Sequence, residues 1–118
     1  MSSEEFTIYH NPRCSKSRQT LTLLQENDVE PTIVEYLINP PDAATIQHLL
    51  SLLKLTPREL LRSKESAYEE AGLHDQALSD ETIIRAMVDN PILIERPIVV
   101  RGNEAVIGRP PENVLELL

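Results

Sequence analysis

The order of strand-like and helix-like segments most constrains how this chain can fold. Strand-forming residues occur in four segments near the two ends: Phe6–His10, Thr32–Tyr36, Ile98–Val100 and Glu104–Ile107. Between the second and third of these, apolar residues recur at the i, i+3, i+4, i+7 spacing of amphipathic helices. The pattern is therefore strand, helix, strand, several helices, a strand hairpin and a final helix.

Local capping signals predict where the helices begin. A helix from about Ser15 to Asn27 should follow the turn at residues 11–13. Thr56–Glu59 is a capping box with proline at its first helical position, and Ser79 is a second N-cap candidate. Pro110–Glu112 should open the last helix, for which we expect the apolar residues Val114, Leu115 and Leu118.

This order of elements is that of an α/β protein with a thioredoxin-like fold. We predict a single domain over residues 1–118, with a mixed four-stranded sheet covered by helices. The segment at about 42–90 is then a helical insertion in the central connection. Gly102-Asn103 is a two-residue hairpin signal that should join the last two strands.

Composition excludes several classes of function. The 118-residue chain has a formal net charge of -8, whereas nucleic-acid-binding proteins usually present a basic face. No apolar run approaches the roughly 20 residues that span a bilayer. The first residues, Met1–Glu5, lack the basic and apolar regions of a signal peptide. We therefore expect a cytoplasmic protein that binds neither nucleic acid nor membrane.

Cys14 is the only cysteine, so an internal disulfide is impossible and a cysteine-rich metal site is excluded. It lies directly after a predicted strand and turn and before a predicted helix, where the helix dipole stabilises a thiolate. Arg13, Lys16 and Arg18 add local positive charge. A packed, inert thiol is the alternative, but the polar neighbours on both sides favour an accessible, reactive one.

Three arginines lie at the edges of predicted elements: Arg62, Arg96 and Arg109. A guanidinium group can donate two parallel hydrogen bonds to a tetrahedral oxyanion. Sequence spacing alone does not bring the three together, and surface pairing with carboxylates remains an alternative for each. His48 and His74 have no recognisable metal-ligand spacing with Cys14.

Together these segments resemble the glutaredoxin-coupled arsenate reductase family, the ArsC-like branch of the thioredoxin superfamily. The resemblance extends over nearly the whole chain, in the order of the family. It is carried by Ile8–Arg18, Glu35–Leu37, Leu60–Arg62, Asn90–Val100 and Gly108–Glu112.

The resemblance implies roles for seven residues. Cys14 matches the nucleophile of the family, and Arg62, Arg96 and Arg109 match its oxyanion-binding arginines. His10 and Ser17 match the residues that support the thiolate. Pro97 matches the superfamily's cis-proline beside the thiol, next to which a thiol substrate binds, so the Arg96–Pro97 peptide bond should be cis.

The resemblance also implies the substrate and partners. Arsenate or a similar oxyanion would be attacked by the Cys14 thiolate, glutathione would act as co-substrate, and glutaredoxin would clear the resulting mixed disulfide. No tightly bound cofactor is expected. The single cysteine is consistent with electrons that come from outside the chain.

Two features differ from the dedicated arsenic-resistance members. Ser15-Lys16 follows the cysteine where those members often have Gly-Thr, and the sequence ends at Leu118 without their C-terminal extension. A glutathione-dependent thiol oxidoreductase with another substrate therefore stays an alternative. So does an RNA polymerase-binding regulator of the Spx type, although such regulators often have a second cysteine where this chain has Ser17.

Overall fold

The structure, a computed structural model, describes residues 5–118; residues 1–4, part of the segment inspected for a signal peptide, lie outside the described residues. Strands and helices follow one another in the predicted order: β1 (Phe6–His10), α1 (Ser15–Glu26), β2 (Thr32–Glu35), α2 (Ala43–Leu53), α3 (Ser66–Glu70), α4 (Asp80–Asp89), β3 (Ile98–Arg101) and β4 (Glu104–Ile107). Short 3-10 helices cover Arg58–Leu60, Pro91–Leu93 and Pro111–Leu117. No helix in the described range is both long and apolar enough to cross a bilayer.

The four strands form one mixed sheet in the order β2-β1-β3-β4. β1 pairs parallel with β2, whereas β3 pairs antiparallel with both β1 and β4. The predicted hairpin is present: Arg101 and Glu104 face each other, and Gly102 between them has a φ of 58°. That left-handed conformation suits glycine at the first central position of a tight hairpin turn. The predicted thioredoxin-like mixed sheet is confirmed.

The chain divides into two compact units. One combines the described residues up to Asn39 with Arg96–Leu118 and contains the whole sheet; the other is Pro40–Glu95 and is helical. The predicted insertion at 42–90 falls inside the second unit. The assignment of residues 1–118 to a single domain stays a prediction.

The core of the sheet-containing unit joins β1, α1, β3 and the C-terminal 3-10 helix. Its buried members are Ile8, Leu24, Val99, Val114 and Leu117. The last helix is present as a 3-10 helix over Pro111–Leu117, so Leu118 lies just beyond it, and Leu115 and Leu118 are 43% and 47% exposed. A 3-10 helix has three residues per turn, so positions 111, 114 and 117 share its buried face.

The helical unit has the predicted caps. Thr56 N–H donates to Glu59 Oε1 at 2.8 Å, and Glu59 N–H donates to Thr56 Oγ1 at 3.3 Å, which completes the capping box. Ser79 Oγ accepts from the N–H of Thr82 at 3.2 Å and caps α4. α2 and α4 pack against each other through their apolar faces. Helix α3 was not anticipated, because its five residues bury only Tyr68 and show no helical periodicity.

Candidate active site

A tight turn delivers Cys14 to the start of α1. Cys14 N–H donates to Asn11 O at 3.0 Å, which closes the turn, and Arg13 N–H donates to the side-chain oxygen Asn11 Oδ1 at 3.0 Å. Pro12 occupies the second position, where its fixed φ favours such a turn. Cys14 then lies at the N-cap with extended backbone, φ -95° and ψ 123°. Its side chain therefore lies beside the N–H groups of the first helical turn, which have no hydrogen-bond partner within the helix.

The Cys14 side chain is less accessible than we expected, because it is only 9% exposed. Cys14 is buried although its sequence neighbours are polar, because every third residue from Cys14 along the helix points inward. Cys14, Ser17 and Thr20 are the buried residues of this series. Burial raises the pKa of the thiol, but the backbone N–H of Ser17, the Arg96 guanidinium and the backbone N–H of Lys16 lower it by more. The net pKa is below that of an ordinary cysteine, so the thiolate is favoured.

His10 and Ser17 meet beside the turn. His10 Nδ1 lies 2.6 Å from Ser17 Oγ, and the same hydroxyl oxygen accepts from the N–H of Asn11 at 3.1 Å. Burial lowers the pKa of His10; the charge of Glu35 raises it and that of Arg18 lowers it further, so the net shift is downward. A neutral imidazole can accept at Nδ1, in which case the Ser17 hydroxyl donates to it. This bridge ties the end of β1 to the first turn of α1.

Arg96 and Arg109 approach Cys14 from the loops that flank the β3–β4 hairpin. The Nη2 group of Arg109 donates to Cys14 Sγ at 3.5 Å, and its Nε donates to the Arg96 carbonyl at 2.7 Å. The Arg96 side chain is 9% exposed and also favours the charged thiolate. The predicted cis peptide bond between Arg96 and Pro97 is confirmed, and the Arg109–Pro110 bond, which we did not anticipate, is also cis.

Gly108 brings these two loops together. Its N–H donates to the Pro97 carbonyl at 2.9 Å. A Cβ atom at this position would lie 2.5 Å from Thr20 Oγ1 and 2.9 Å from Pro97 Cγ. Only glycine allows the backbone before Arg109 to lie so close to α1 and to the cis-proline.

Arg62 belongs to the helical unit and is held by two carboxylates. Its Nε lies 3.1 Å from Glu65 Oε2 and its Nη1 lies 2.6 Å from Glu95 Oε1. An antiparallel bridge between Leu61 and Ile94 aligns the backbone for this pairing. Burial lowers the pKa of Arg62, but the two carboxylates raise it by more. The guanidinium is therefore charged and positioned; that it joins Arg96 and Arg109 around an anion stays a prediction.

Asn11, predicted only as part of a turn, has a further role in the structure. Asn11 is 5% exposed, and its amide N–H, carbonyl and side-chain oxygen all make hydrogen bonds inside the Cys14 segment. The signal was present in the sequence, since asparagine before proline commonly starts a turn of this kind. Asn11 therefore fixes the backbone that presents the thiol.

The two remaining histidines lie outside this cluster. His48 is exposed on α2, and His74 packs edge-on against Tyr68 with ring centroids 4.9 Å apart. His74 also lies 3.6 Å from Glu69. Within residues 5–118, no group of three His, Cys, Asp or Glu side chains is arranged to hold a metal ion.

Known proteins match this chain over nearly all of its length. Residues 9–117 match the sequence profile of the ArsC family. The uncharacterized protein YfgD of Escherichia coli strain K12 is 58% identical over 117 residues, which are 98% of each chain. Arsenate reductase of Rhizobium meliloti strain 1021 is 45% identical over 112 residues, 95% of this chain and 80% of that protein.

A solved structure is similar to this chain in both sequence and fold. The arsenate reductase from Vibrio cholerae superposes with a TM-score of 0.95 at 45% identity, and the match covers 99% of this chain and 100% of that one. The profile match includes Cys14, Arg62, Arg96 and Arg109. The chain belongs to the ArsC family.

Proposed function

We propose that this protein reduces arsenate to arsenite through the thiolate of Cys14, with electrons from glutathione and glutaredoxin. One observation carries the proposal: the Cys14 thiol has a lowered pKa and lies 3.5 Å from the Arg109 guanidinium, with Arg96 beside it. A nucleophile surrounded by cations suits an anionic electrophile. The arsenate reductases at 42–45% identity support arsenate as that electrophile.

The first step joins sulfur to arsenic. The Cys14 thiolate attacks arsenic(V), an S–As bond forms, and one arsenate oxygen leaves as water after protonation. Arg96 and Arg109 neutralise the oxygens on which negative charge accumulates, and Arg62 is the third proposed ligand of the anion. These arginines also explain how an anion enters a chain whose net charge is -8, because local charge dominates at short range.

The second step needs an outside thiol, because Cys14 is the only cysteine. The glutathione thiolate attacks Cys14 Sγ, an S–S bond forms, and the S–As bond breaks with its electron pair on arsenic, which leaves as arsenite. A glutaredoxin thiolate then attacks the glutathione sulfur of the mixed disulfide and releases the Cys14 thiolate. This exchange requires a reducing compartment, in agreement with the predicted cytoplasmic location.

The supporting residues have distinct proposed roles. The Ser17 backbone N–H stabilises the thiolate, while the Ser17 hydroxyl and His10 hold the first helical turn against the end of β1. Pro97, whose cis peptide bond directly precedes β3, is the residue whose backbone we propose receives the incoming thiol substrate. The roles of Ser17 and His10 act on the position or the protonation of Cys14.

The test is a coupled assay of arsenate-dependent NADPH oxidation with glutathione, glutaredoxin and glutathione reductase, each omitted in turn. We expect turnover only with the complete system, no turnover for Cys14→Ser, and a loss on the order of 10²–10³ for Arg109→Gln. Arg85→Gln is the matched control, because Arg85 is an exposed arginine on α4. Its turnover should equal that of the unmodified protein.

Two results would overturn parts of the proposal. Full activity with thioredoxin in place of glutathione and glutaredoxin would refute the electron route, and full activity of Cys14→Ser would refute the nucleophile. No arsenate turnover under any condition would refute arsenate as substrate. The alternative would then be a glutathione-dependent reduction of another substrate by the same cysteine.

A further inference from the structure

A cavity borders the turn that carries Cys14, because Asn11, Pro12 and Arg13 are among its lining residues. It has a volume of about 360 Å³ and is lined in part by His10, Arg13, Glu35, Leu37 and Ile38. Cys14, Arg96 and Arg109 are not among its lining residues. Its volume is within the range of small-molecule sites.

The backbone places opposite charges on this cavity. Glu35 ends β2 and is the register partner of His10 on β1, so their side chains lie on the same face of the sheet. Arg13 enters from the turn, one residue before Cys14. The cavity therefore combines a carboxylate and a guanidinium around a neutral imidazole.

The remaining wall is apolar. The N–H of Ile38 donates to the Glu35 carbonyl at 2.9 Å, and this turn folds the chain after β2. Leu37 and Ile38 are 38% and 72% exposed, so part of their aliphatic surface is available to a ligand in the cavity. A ligand suited to this cavity has an ammonium group, a carboxylate and a short aliphatic segment.

We propose that this cavity binds the γ-glutamyl end of glutathione, with its ammonium group at Glu35 and its α-carboxylate at Arg13. The two methylenes of the γ-glutamyl group pack against Leu37 and Ile38. The inference rests on the proposed function, from which the choice of glutathione comes, and adds the surface that holds it.

The cavity and the thiol are neighbours along the chain. Arg13, which lines the cavity, directly precedes Cys14, so their Cα atoms are about 3.8 Å apart. The γ-glutamyl and cysteinyl parts of glutathione together span roughly two residue lengths, about 7 Å. A molecule with its γ-glutamyl end in the cavity is therefore long enough for its thiol to approach Cys14.

The experiment uses S-methylglutathione as probe, because it has no free thiol and cannot form a disulfide with Cys14. A two-dimensional NMR titration of the full chain yields the Kd and the amides that shift. We expect shifts at residues 10–13 and 35–38. Glu35→Gln and Arg13→Gln should each raise the Kd about fivefold, the upper range for a partly exposed ion pair. Glu30→Gln and Arg85→Gln, at exposed positions off the cavity, are the matched controls and should not change it.

A second ligand tests the assigned orientation. N-acetylation of S-methylglutathione removes the ammonium charge, so it should weaken binding to the unmodified protein but not to Glu35→Gln. Shifts centred elsewhere, no saturable shift, or equal Kd values for Glu35→Gln and Glu30→Gln would each overturn the inference.

The outcome is separable from that of the proposed function. Arsenate turnover with a KM for glutathione that is unchanged in Glu35→Gln and Arg13→Gln would overturn the inference and leave the proposed function intact. Binding of S-methylglutathione with the expected variant pattern, in a protein without arsenate turnover, would uphold the cavity and refute the proposed function.

Discussion

Gly108 offers the sharpest test of how the loops around Cys14 are built. In Gly108→Ala, the new Cβ would lie 2.5 Å from Thr20 Oγ1 and 2.9 Å from Pro97 Cγ, well inside the 3.4 Å at which ordinary contact begins. Neither neighbour is free to withdraw, because Thr20 is fully buried and Pro97 is fixed by its ring. Overpacking of this kind costs about 1–3 kcal/mol, and two such contacts place Gly108→Ala in the upper part of that range.

The unfolded chain partly offsets this cost. Alanine has less backbone freedom than glycine, which stabilises the folded state by about 0.4–1 kcal/mol where the φ angle is suitable. We therefore expect a net loss of about 2 kcal/mol in the free energy of unfolding, or about 8 °C in Tm for a domain of this size. Urea unfolding followed by far-UV circular dichroism measures the former, and the m-value checks that both variants unfold in the same manner.

A double-mutant cycle identifies the cause. Thr20→Ala removes two of the three atoms that the new Cβ would meet, Oγ1 and Cγ2, and also the hydrogen bond to the Lys16 carbonyl at 2.8 Å. The double variant should be more stable than the sum of the single effects predicts, by about 1 kcal/mol or more. Thr22→Ala, at an exposed position on the same helix, is the control and should be additive with Gly108→Ala. A Gly108→Ala protein as stable as the unmodified one, or a cycle without coupling, would refute the steric argument.

Three further predictions concern the charges around the thiol. The rate of Cys14 alkylation by iodoacetamide should rise with pH, with a midpoint below that of free cysteine, because the pKa of the Cys14 thiol is lowered. Arg96→Gln should move this midpoint to higher pH. An unchanged midpoint in that variant would contradict the role of Arg96. His10 should titrate below the ordinary range in NMR spectra and be neutral at pH 7, since burial lowers its pKa; a midpoint at or above that of free histidine would contradict this. Arg109→Lys should raise the alkylation midpoint nearly as much as Arg109→Gln, because a single ammonium group cannot donate to both Cys14 Sγ and the Arg96 carbonyl. An unchanged alkylation midpoint in the lysine variant would show that charge alone suffices.

The predicted elements succeeded where the determining interactions are local in sequence. The capping box at Thr56–Glu59 and the cap at Ser79 depend on groups three residues apart, and both are present as predicted. The hairpin at Gly102 depends on one left-handed residue. The last helix starts where it was predicted, but its 3-10 geometry was not predicted, because α and 3-10 helices share the same start signals.

At the active site too, local features were predictable from the sequence, whereas the burial of the Cys14 thiol was not. The polar residues around Cys14 indicated an accessible side chain, yet 9% exposure results from neighbours that are distant in sequence, including Arg96 and Arg109. Sequence spacing carries no information on such contacts, because they form only when the hairpin pairs with β1. The lowered pKa was nevertheless predictable, since the N-cap position supplies much of it locally.

By itself the sequence determined the order of elements, the helix caps, the position of the single cysteine at a helix start and the membership of a family, because each depends on short-range chemistry or on a matched pattern. The tertiary structure alone decided that Arg109 reaches Cys14, that Gly108 must lack a side chain, and that Arg62 pairs with Glu95. These contacts join residues up to 95 positions apart. Their distances follow from strand pairing and from the close packing of the core, which no local pattern encodes.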